Sequence, residues 1–370
     1  MKTIMLVICL LLNFFLTSSS FQTSFFQEIN KQNINKNLLV SPLSVYQVLG
    51  LTSNGAVGKT LQNMLLALGN TSLKELNNIN KNILDISKKF STIEIANAIM
   101  TFYRPKQGFM DAASIYEATV EPLRNAQQIN NWCNLKTHGK IQKILEQIPA
   151  NTVMILLNAI YFKGKWKTKF DEKKTKKKAF YNLNSKSKEV LVDIMYLEKK
   201  FNYYEDKEVQ IIELPYKQDS MSAVILLPNE DLNINNFITG LNDEKLQRLI
   251  KRMSTQKVKL ELPKFTLDFS SSLNEALKKM GMVEPFKGYA DFTGILDGGG
   301  IYISDVFQKS YLSVDEKGTE AAASTSVTVI KKSIQRFYSM FINRPFLFML
   351  RNEDLPQGYE MLFMAKVEKL

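Results

Sequence analysis

The chain has one histidine, His138, and two cysteines, Cys9 and Cys133. A Cys–His nucleophilic pair would have to join Cys133 to His138. The two lie five residues apart in NNWCNLKTHGK, one on a helix and the other in its C-terminal turn, and that spacing does not aim them at each other. The helix is read from Ala126, Ile129, Trp132 and Cys133, which recur at helical spacing and make Cys133 a buried structural thiol. There is no G-x-S-x-G elbow, no Walker loop and no H-E-x-x-H pair. One His and one Cys are too few for zinc, and Gly298-Gly299-Gly300 after Asp297 reads as a turn before a strand. The expectation is a protein that is not an enzyme and holds neither metal nor cofactor.

Two other stretches carry chemical information. KGKWKTKFDEKKTKKK, Lys163 to Lys178, has nine lysines in sixteen residues against Asp171 and Glu172. Clustered ammonium groups attract sulfated polysaccharide, and Lys173, Lys174, Lys176, Lys177 and Lys178 are the candidate site for heparin or another anionic glycan. A merely solvated lysine face explains the same composition. The second stretch, Ala321 to Ile330, has no charge, proline or glycine, and lies between Lys317-Gly318 and Lys331-Lys332. With a period of two, Thr319, Ala321, Ala323, Thr325, Val327 and Val329 share one face, and Glu320, Ala322, Ser324, Ser326, Thr328 and Ile330 the other. The first face is small at its start and β-branched further on, unlike a Gly/Ser linker.

The elements that position these stretches follow from hydrophobic periodicity. Residues 1–20 read as a secretory signal peptide, and 21–370 as a single domain. The mature chain is expected to be secreted, extracellular and monomeric. Its net charge of +12 becomes +11 once Lys2 is removed, and for an exported chain that favours anionic polysaccharide over nucleic acid or membrane as partner. Residues 21–90 read as helical. Asn70-Thr71-Ser72, past a helix end, is a glycosylation sequon whose position favours exposure. Val153 to Phe162 is an apolar run suited to a strand buried on both faces. Phe162 to Phe170 alternates as an extended segment, with Phe162, Gly164, Trp166, Thr168 and Phe170 on one side and four lysines on the other. The 173–188 segment reads as a surface loop. Later strands are Val209 to Leu214, Ser222 to Leu227, Val258 to Leu262, Tyr302 to Ser304, Phe346 to Leu350 and Glu360 to Val367, with a helix over Ser272 to Met280.

The stretches NLLVSPLSV, INNWCNLKTHGKI, LLNAIYFKGKW, IIELPYK, LELPKF, ADFTGI, VDEKGTEAAAS, INRPFLFML and MLFMAKV stand in the order in which similar stretches occur in the serpin family. The resemblance covers almost the whole chain after the signal. It implies an α+β fold of three β-sheets and eight or nine helices with an exposed reactive-centre loop, here about 316–340. It also implies inhibition of a serine protease as a suicide substrate: the loop is cut and inserts as a new strand of the largest sheet, one of the known modes of strand addition. A non-inhibitory serpin, or a glycan-binding protein on the same scaffold, is the alternative.

The resemblance also implies residue roles. Gly318, Thr319, Glu320, Ala321, Ala322 and Ala323 match the hinge. Trp166, Lys264 and Glu316 match the breach, where the loop first enters the sheet, with Lys264 and Glu316 as an ion pair. Ser41, Ser44 and Asn158 match the shutter, the hydrogen-bonded point below which the sheet parts; Gln308 stands where the family usually has histidine. Counting sixteen residues from Glu316 puts the reactive bond between Lys332 and Ser333, which suits a trypsin-like protease with a carboxylate at the base of its specificity pocket. The stretch from Lys332 to Pro345 is about two residues longer than in common members, a difference assigned to the leaving side.

Overall fold

The computed structural model describes residues 20–182, 189–318 and 337–370. Residues 1–19 of the expected signal peptide, the expected hinge residues Thr319 to Ala323 and the expected reactive bond Lys332–Ser333 lie outside the described residues.

The N-terminal quarter is helical, as its periodicity predicts: α1 (Phe21–Gln32), then the short β1 (Leu38–Val40), α2 (Pro42–Ser53), α3 (Gly58–Ala67) and α4 (Leu73–Ser87). The helix starts follow from capping chemistry. Ser41 precedes Pro42 and accepts from the Ser44 N–H, while the Ser72 hydroxyl accepts from the Glu75 N–H and the Glu75 carboxylate reaches back to the Thr71 N–H at 2.8 Å. All of α2 is buried, which is why PLSVYQVLGLTS lacks a polar face.

The chain continues through β2 (Ile93–Thr101), α5 (Gln107–Ile115), β3 (Thr119–Pro122), α6 (Ala126–Lys136), β4 (Met154–Phe162), β5 (Lys176–Tyr181), β6 (Glu189–Glu205), β7 (Val209–Pro215) and β8 (Met221–Pro228). After α7 (Ile234–Thr239) and α8 (Asp243–Arg252) come β9 (Ser254–Pro263), β10 (Phe265–Ser272), α9 (Asn274–Lys279), β11 (Ile303–Val314), β12 (Tyr338–Phe341), β13 (Phe346–Asn352) and β14 (Met361–Val367). Among the described residues no helix is long and apolar enough to cross a membrane.

Four local expectations change. Part of the 173–188 segment is strand β5, because Lys176 to Tyr181 pair with Ile194 to Glu189 of β6. The extended run after Phe162 is not a strand: β4 ends there, and beyond it only single bridges from Lys165 to Gly318 and from Trp166 to Tyr216 remain. Ser272 belongs to β10, so the following helix is shorter than expected. Strand β11 is far longer than Tyr302 to Ser304.

Among the described residues, hydrogen bonding joins the strands into two continuous sheets. One has nine strands, with path β1-β14-β13-β8-β7-β6-β9-β12 and β5 on β6. The long β6 pairs β5, β9 and β7 along successive stretches, and so links what the resemblance counts as two sheets. The other has order β10-β11-β4-β2-β3. Its centre is a parallel pair: β11 runs alongside β4 from Ile303↔Met154 to Tyr311↔Tyr161, while β10 and β2 flank that pair antiparallel. One face of this sheet lies on the main core with α2. The other, through Ile155, Leu157 and Ala159, packs on Ile129, Trp132 and Cys133 of α6.

Candidate functional site

The β4–β11 seam is the place where these elements converge. At its midpoint Gln308 and Asn158 are register partners, and both are fully buried. The Gln308 amide donates to Asn158 Oδ1 at 2.6 Å and to the Ser41 carbonyl at 3.1 Å, while its own oxygen accepts the Ser41 N–H at 3.1 Å. Ser44 Oγ donates to the same Asn158 Oδ1 at 2.7 Å. Asn158 in turn donates to Asn97 Oδ1 of β2 at 2.7 Å. The cluster thus brings together Ser41, Ser44, Asn158 and Gln308 and adds Asn97, which sequence reasoning missed. A primary amide offers both a donor and an acceptor, so Gln308 binds both backbone groups of Ser41. It does so without a titratable proton.

At the upper end of the seam the chain leaves β11 through a tight turn. Asp315 and Gly318 exchange backbone hydrogen bonds, and Asp315 Oδ1 accepts from the N–H groups of Lys317 and Gly318. Gly318 has φ +139, and a Cβ there would fall 2.2 Å from the Gly164 carbonyl oxygen, so only glycine fits. Trp166 stacks on Tyr216, with ring centroids 4.3 Å apart, and its indole N–H donates to the Asp315 carbonyl at 2.9 Å. Lys264 Nζ lies 3.0 Å from Glu316 Oε2, while Glu316 Oε1 accepts from the Thr175 hydroxyl at 2.7 Å. Trp166, Lys264 and Glu316 are therefore neighbours, joined by Thr175, Tyr216 and Asp315.

Glu316 is only 6 % exposed. Burial pushes its carboxyl up, but the Thr175 hydroxyl and Lys264 outweigh that and hold it below its ordinary value of 4.5. For Lys264, burial pulls the ammonium down, and the Glu316, Asp315 and Asp193 carboxylates turn the balance upward. Because Glu316 is depressed, its stabilising contribution is complete above pH 4.5 and is lost as pH falls through the lower folded value. Because Lys264 is raised, its share is complete below 10.5 and lost above its folded value. Trp166 emission should therefore change on acidification below about pH 4.5, and Glu316→Gln should remove that transition. An unchanged transition in the variant would place the proton elsewhere.

Other expected residues are distributed differently. Lys173 and Lys174 lie on an exposed 3-10 turn, and Lys176, Lys177 and Lys178 on β5. Lys177 lies 3.2 Å from Asp193, and Lys178 pairs with Glu261. Carboxylates from β6 and β9 thus already neutralise two of the five lysines. Asn70 is a correction: it is 4 % exposed, and its amide nitrogen donates to the Tyr46 hydroxyl and the Leu68 carbonyl, both at 2.9 Å. The atom that would carry a glycan is committed inside the fold. Burial pushes the Cys133 thiol up to about 12. His138, exposed, contacts Glu94 at 2.6 Å.

A family model described as "Serpin (serine protease inhibitor)" matches residues 16–370. Among curated proteins, Iripin-5 of Ixodes ricinus is 35 % identical over 361 residues, covering 90 % of this chain and 89 % of the relative. Antithrombin-III of Mus musculus is 32 % identical, covering 95 % of this chain and 80 % of the relative. Among solved structures, the thermophilic serpin tengpin in its native state superimposes with a TM-score of 0.86 at 30 % identity, covering 95 % of this chain and 92 % of that one. Native protease nexin-1 with heparin gives 0.83 at 26 % identity, covering 95 % and 97 %. These matches correct one expectation. The outright exclusion of an enzyme does not stand on them, because kinship with protease inhibitors concerns the effect on a protease and does not address turnover.

Proposed function

The chain belongs to the serpin family of serine protease inhibitors, and from that premise we propose that it is an exported suicide substrate of a trypsin-like protease, which it traps by inserting its cut loop into the β4–β11 seam. The observation that carries this reading is the seam's geometry. A parallel pair at the centre of a sheet can be exchanged for two antiparallel pairs when one strand enters between its members, and the chain leaving β11 already turns back antiparallel at Asp315↔Gly318.

Continuing that bridge residue by residue in the inserted state pairs Thr319 with Val314, Ala321 with Leu312, Ala323 with Ser310, Thr325 with Gln308 and Val327 with Val306. The five β11 partners are all buried on the core face. Register thus turns inward the same alternate set that the period-two pattern groups on one face. The Thr325 hydroxyl would arrive where Gln308 and Asn158 now meet, supplying a polar partner as their bond separates. Roughly a dozen inserted residues, at about 1 kcal/mol net per new ladder bond, give on the order of 10 kcal/mol. The intact form is then kinetically held.

Mixing the protein with trypsin should give an SDS-stable complex. Thr319→Arg places a charge on the inward face at the first step, where unpaired burial costs several kcal/mol, so cleavage should outrun trapping. Unchanged stoichiometry in that variant would remove loop insertion from the account.

The lysine-rich turn and β5 are the proposed contact for sulfated polysaccharide, with Lys173, Lys174 and Lys176 contributing most because Lys177 and Lys178 already have carboxylate partners. Changing all five to alanine should lower the salt needed to elute the protein from heparin. Identical elution would reduce the patch to a solvated face.

A further inference from the structure

Helix α1 begins at Phe21, the residue that the expected signal cut exposes, and a carboxylate stands beside that point. Asp243, the first residue of α8, is half-buried, and its Oδ1 accepts from the Ser20 hydroxyl at 3.2 Å. It forms no ion pair among the described residues; burial pushes its carboxyl above its ordinary value of 3.8, and the Ser20 hydroxyl works against that. The start of α1 is held here by residues that the cut leaves in the chain. The Phe21 ring, 6 % exposed, stacks on Phe25 with centroids 5.5 Å apart. Gln22 donates to the Met361 carbonyl at 2.9 Å and accepts the Met361 N–H at 3.1 Å. Gln27 donates to the carbonyls of Ile238, Thr239 and Leu241, in the segment that leads into α8. Glu360, just before β14, is already committed: it accepts from the Gln247 amide at 3.1 Å and from the Gly358 N–H at 2.7 Å.

Hydrolysis of the Ser20–Phe21 amide places the hydroxyl of water on the Ser20 carbonyl carbon, which departs with the signal, and leaves Phe21 with an amine that is mostly ammonium at pH 7. The cut therefore removes the hydroxyl that Asp243 bonds and creates a cation in the same event. Four covalent bonds separate Ser20 Oγ from Phe21 N, so the ammonium forms within roughly 8 Å of Asp243, a gap that rotation of the freed end and the carboxylate closes. We propose that Asp243 receives the chain's own processed N-terminus: the Phe21 ammonium takes the place of the Ser20 hydroxyl and ties α1 to α8 across the start of β14. A half-buried carboxylate that loses its donor costs free energy, and an ammonium supplies a charge-assisted one. The first turn of α1 has no acidic residue of its own, so Asp243 also offsets a positive charge at that helix start. Until residues 1–20 are removed the pair does not exist, and processing at export sets it. Where the cut falls rests on the export reading above; that Asp243 accepts the ammonium does not.

The full chain is expressed through a secretory route and the N-terminus of the product is sequenced; it should begin at Phe21. After reductive dimethylation with 13C-formaldehyde, the N-terminal resonance should titrate above the ordinary α-amine range of about 7.7–8.0, and within that range in Asp243→Asn. Asp243→Asn should also lower the melting midpoint of the processed protein by about 3 °C. The same change should have little effect in a form that begins at Thr17, whose amine lies four residues upstream. An ordinary titration of the wild-type amine, or equal losses in the two forms, overturns the pair. If Asp243→Asn fails to fold, the wild-type titration alone decides. A secreted product that begins at another residue refutes the cut assumed here. Protein released at Phe21 from a cleavable fusion then carries the same titration and still decides the role of Asp243.

Discussion

Lys332→Ala is expected to abolish the SDS-stable complex with trypsin, lowering its rate of formation by at least about a hundredfold. A trypsin-like pocket selects its substrate by the carboxylate at its base, and without the lysine ammonium that buried charge is left unpaired. The wild-type complex, once denatured and sequenced, should show a new N-terminus at Ser333. The assignment depends on loop length, since the number of residues between Glu316 and the cut fixes how far an inserted strand carries the attached protease. Lys331 would shorten that strand by one residue and Arg336 would lengthen it by four. A dominant cut after Arg336 in the trapped complex would move specificity to that arginine.

Gln308→Ala is expected to cost several kcal/mol of native stability and to speed spontaneous opening of the sheet. The side chain is fully buried and holds three partners at once, the Ser41 N–H, the Ser41 carbonyl and Asn158 Oδ1. Alanine leaves these groups without Gln308, at about 1–3 kcal/mol for each buried group left unsatisfied, and adds a cavity. The effect should be read as a faster loss of inhibitory monomer on mild heating, and Gln308→His should recover part of the loss. Stability equal to wild type in the alanine variant would show that the cluster does not hold the seam.

What the sequence disclosed and what it hid both follow from burial. Strand β4 was legible because it is buried on both faces and reads as a continuous apolar run. Strand β11 was seen only at its start, because its buried positions include Gln308 and Ser310, polar residues that break the apolar signal. Strand β6 was missed entirely. It serves three neighbours in turn, so its burial follows no single period. The main site residues were placed by resemblance, but their supports were not: Thr175 is hidden in a lysine run, and Asn97 carries no motif. Asn70 misled because a sequon records only a local pattern, whereas the Tyr46 hydroxyl that takes its amide comes from another helix.

The most direct test of strand insertion is to cut the loop once, between Val327 and Ser333, with a metalloprotease. Such an enzyme attacks with activated water and forms no acyl intermediate to be trapped. The melting temperatures of intact and cut protein are then compared. Insertion worth on the order of 10 kcal/mol should raise the midpoint by roughly 20 °C. A midpoint that stays the same or falls, as for a nick in an ordinary exposed loop, would contradict the account.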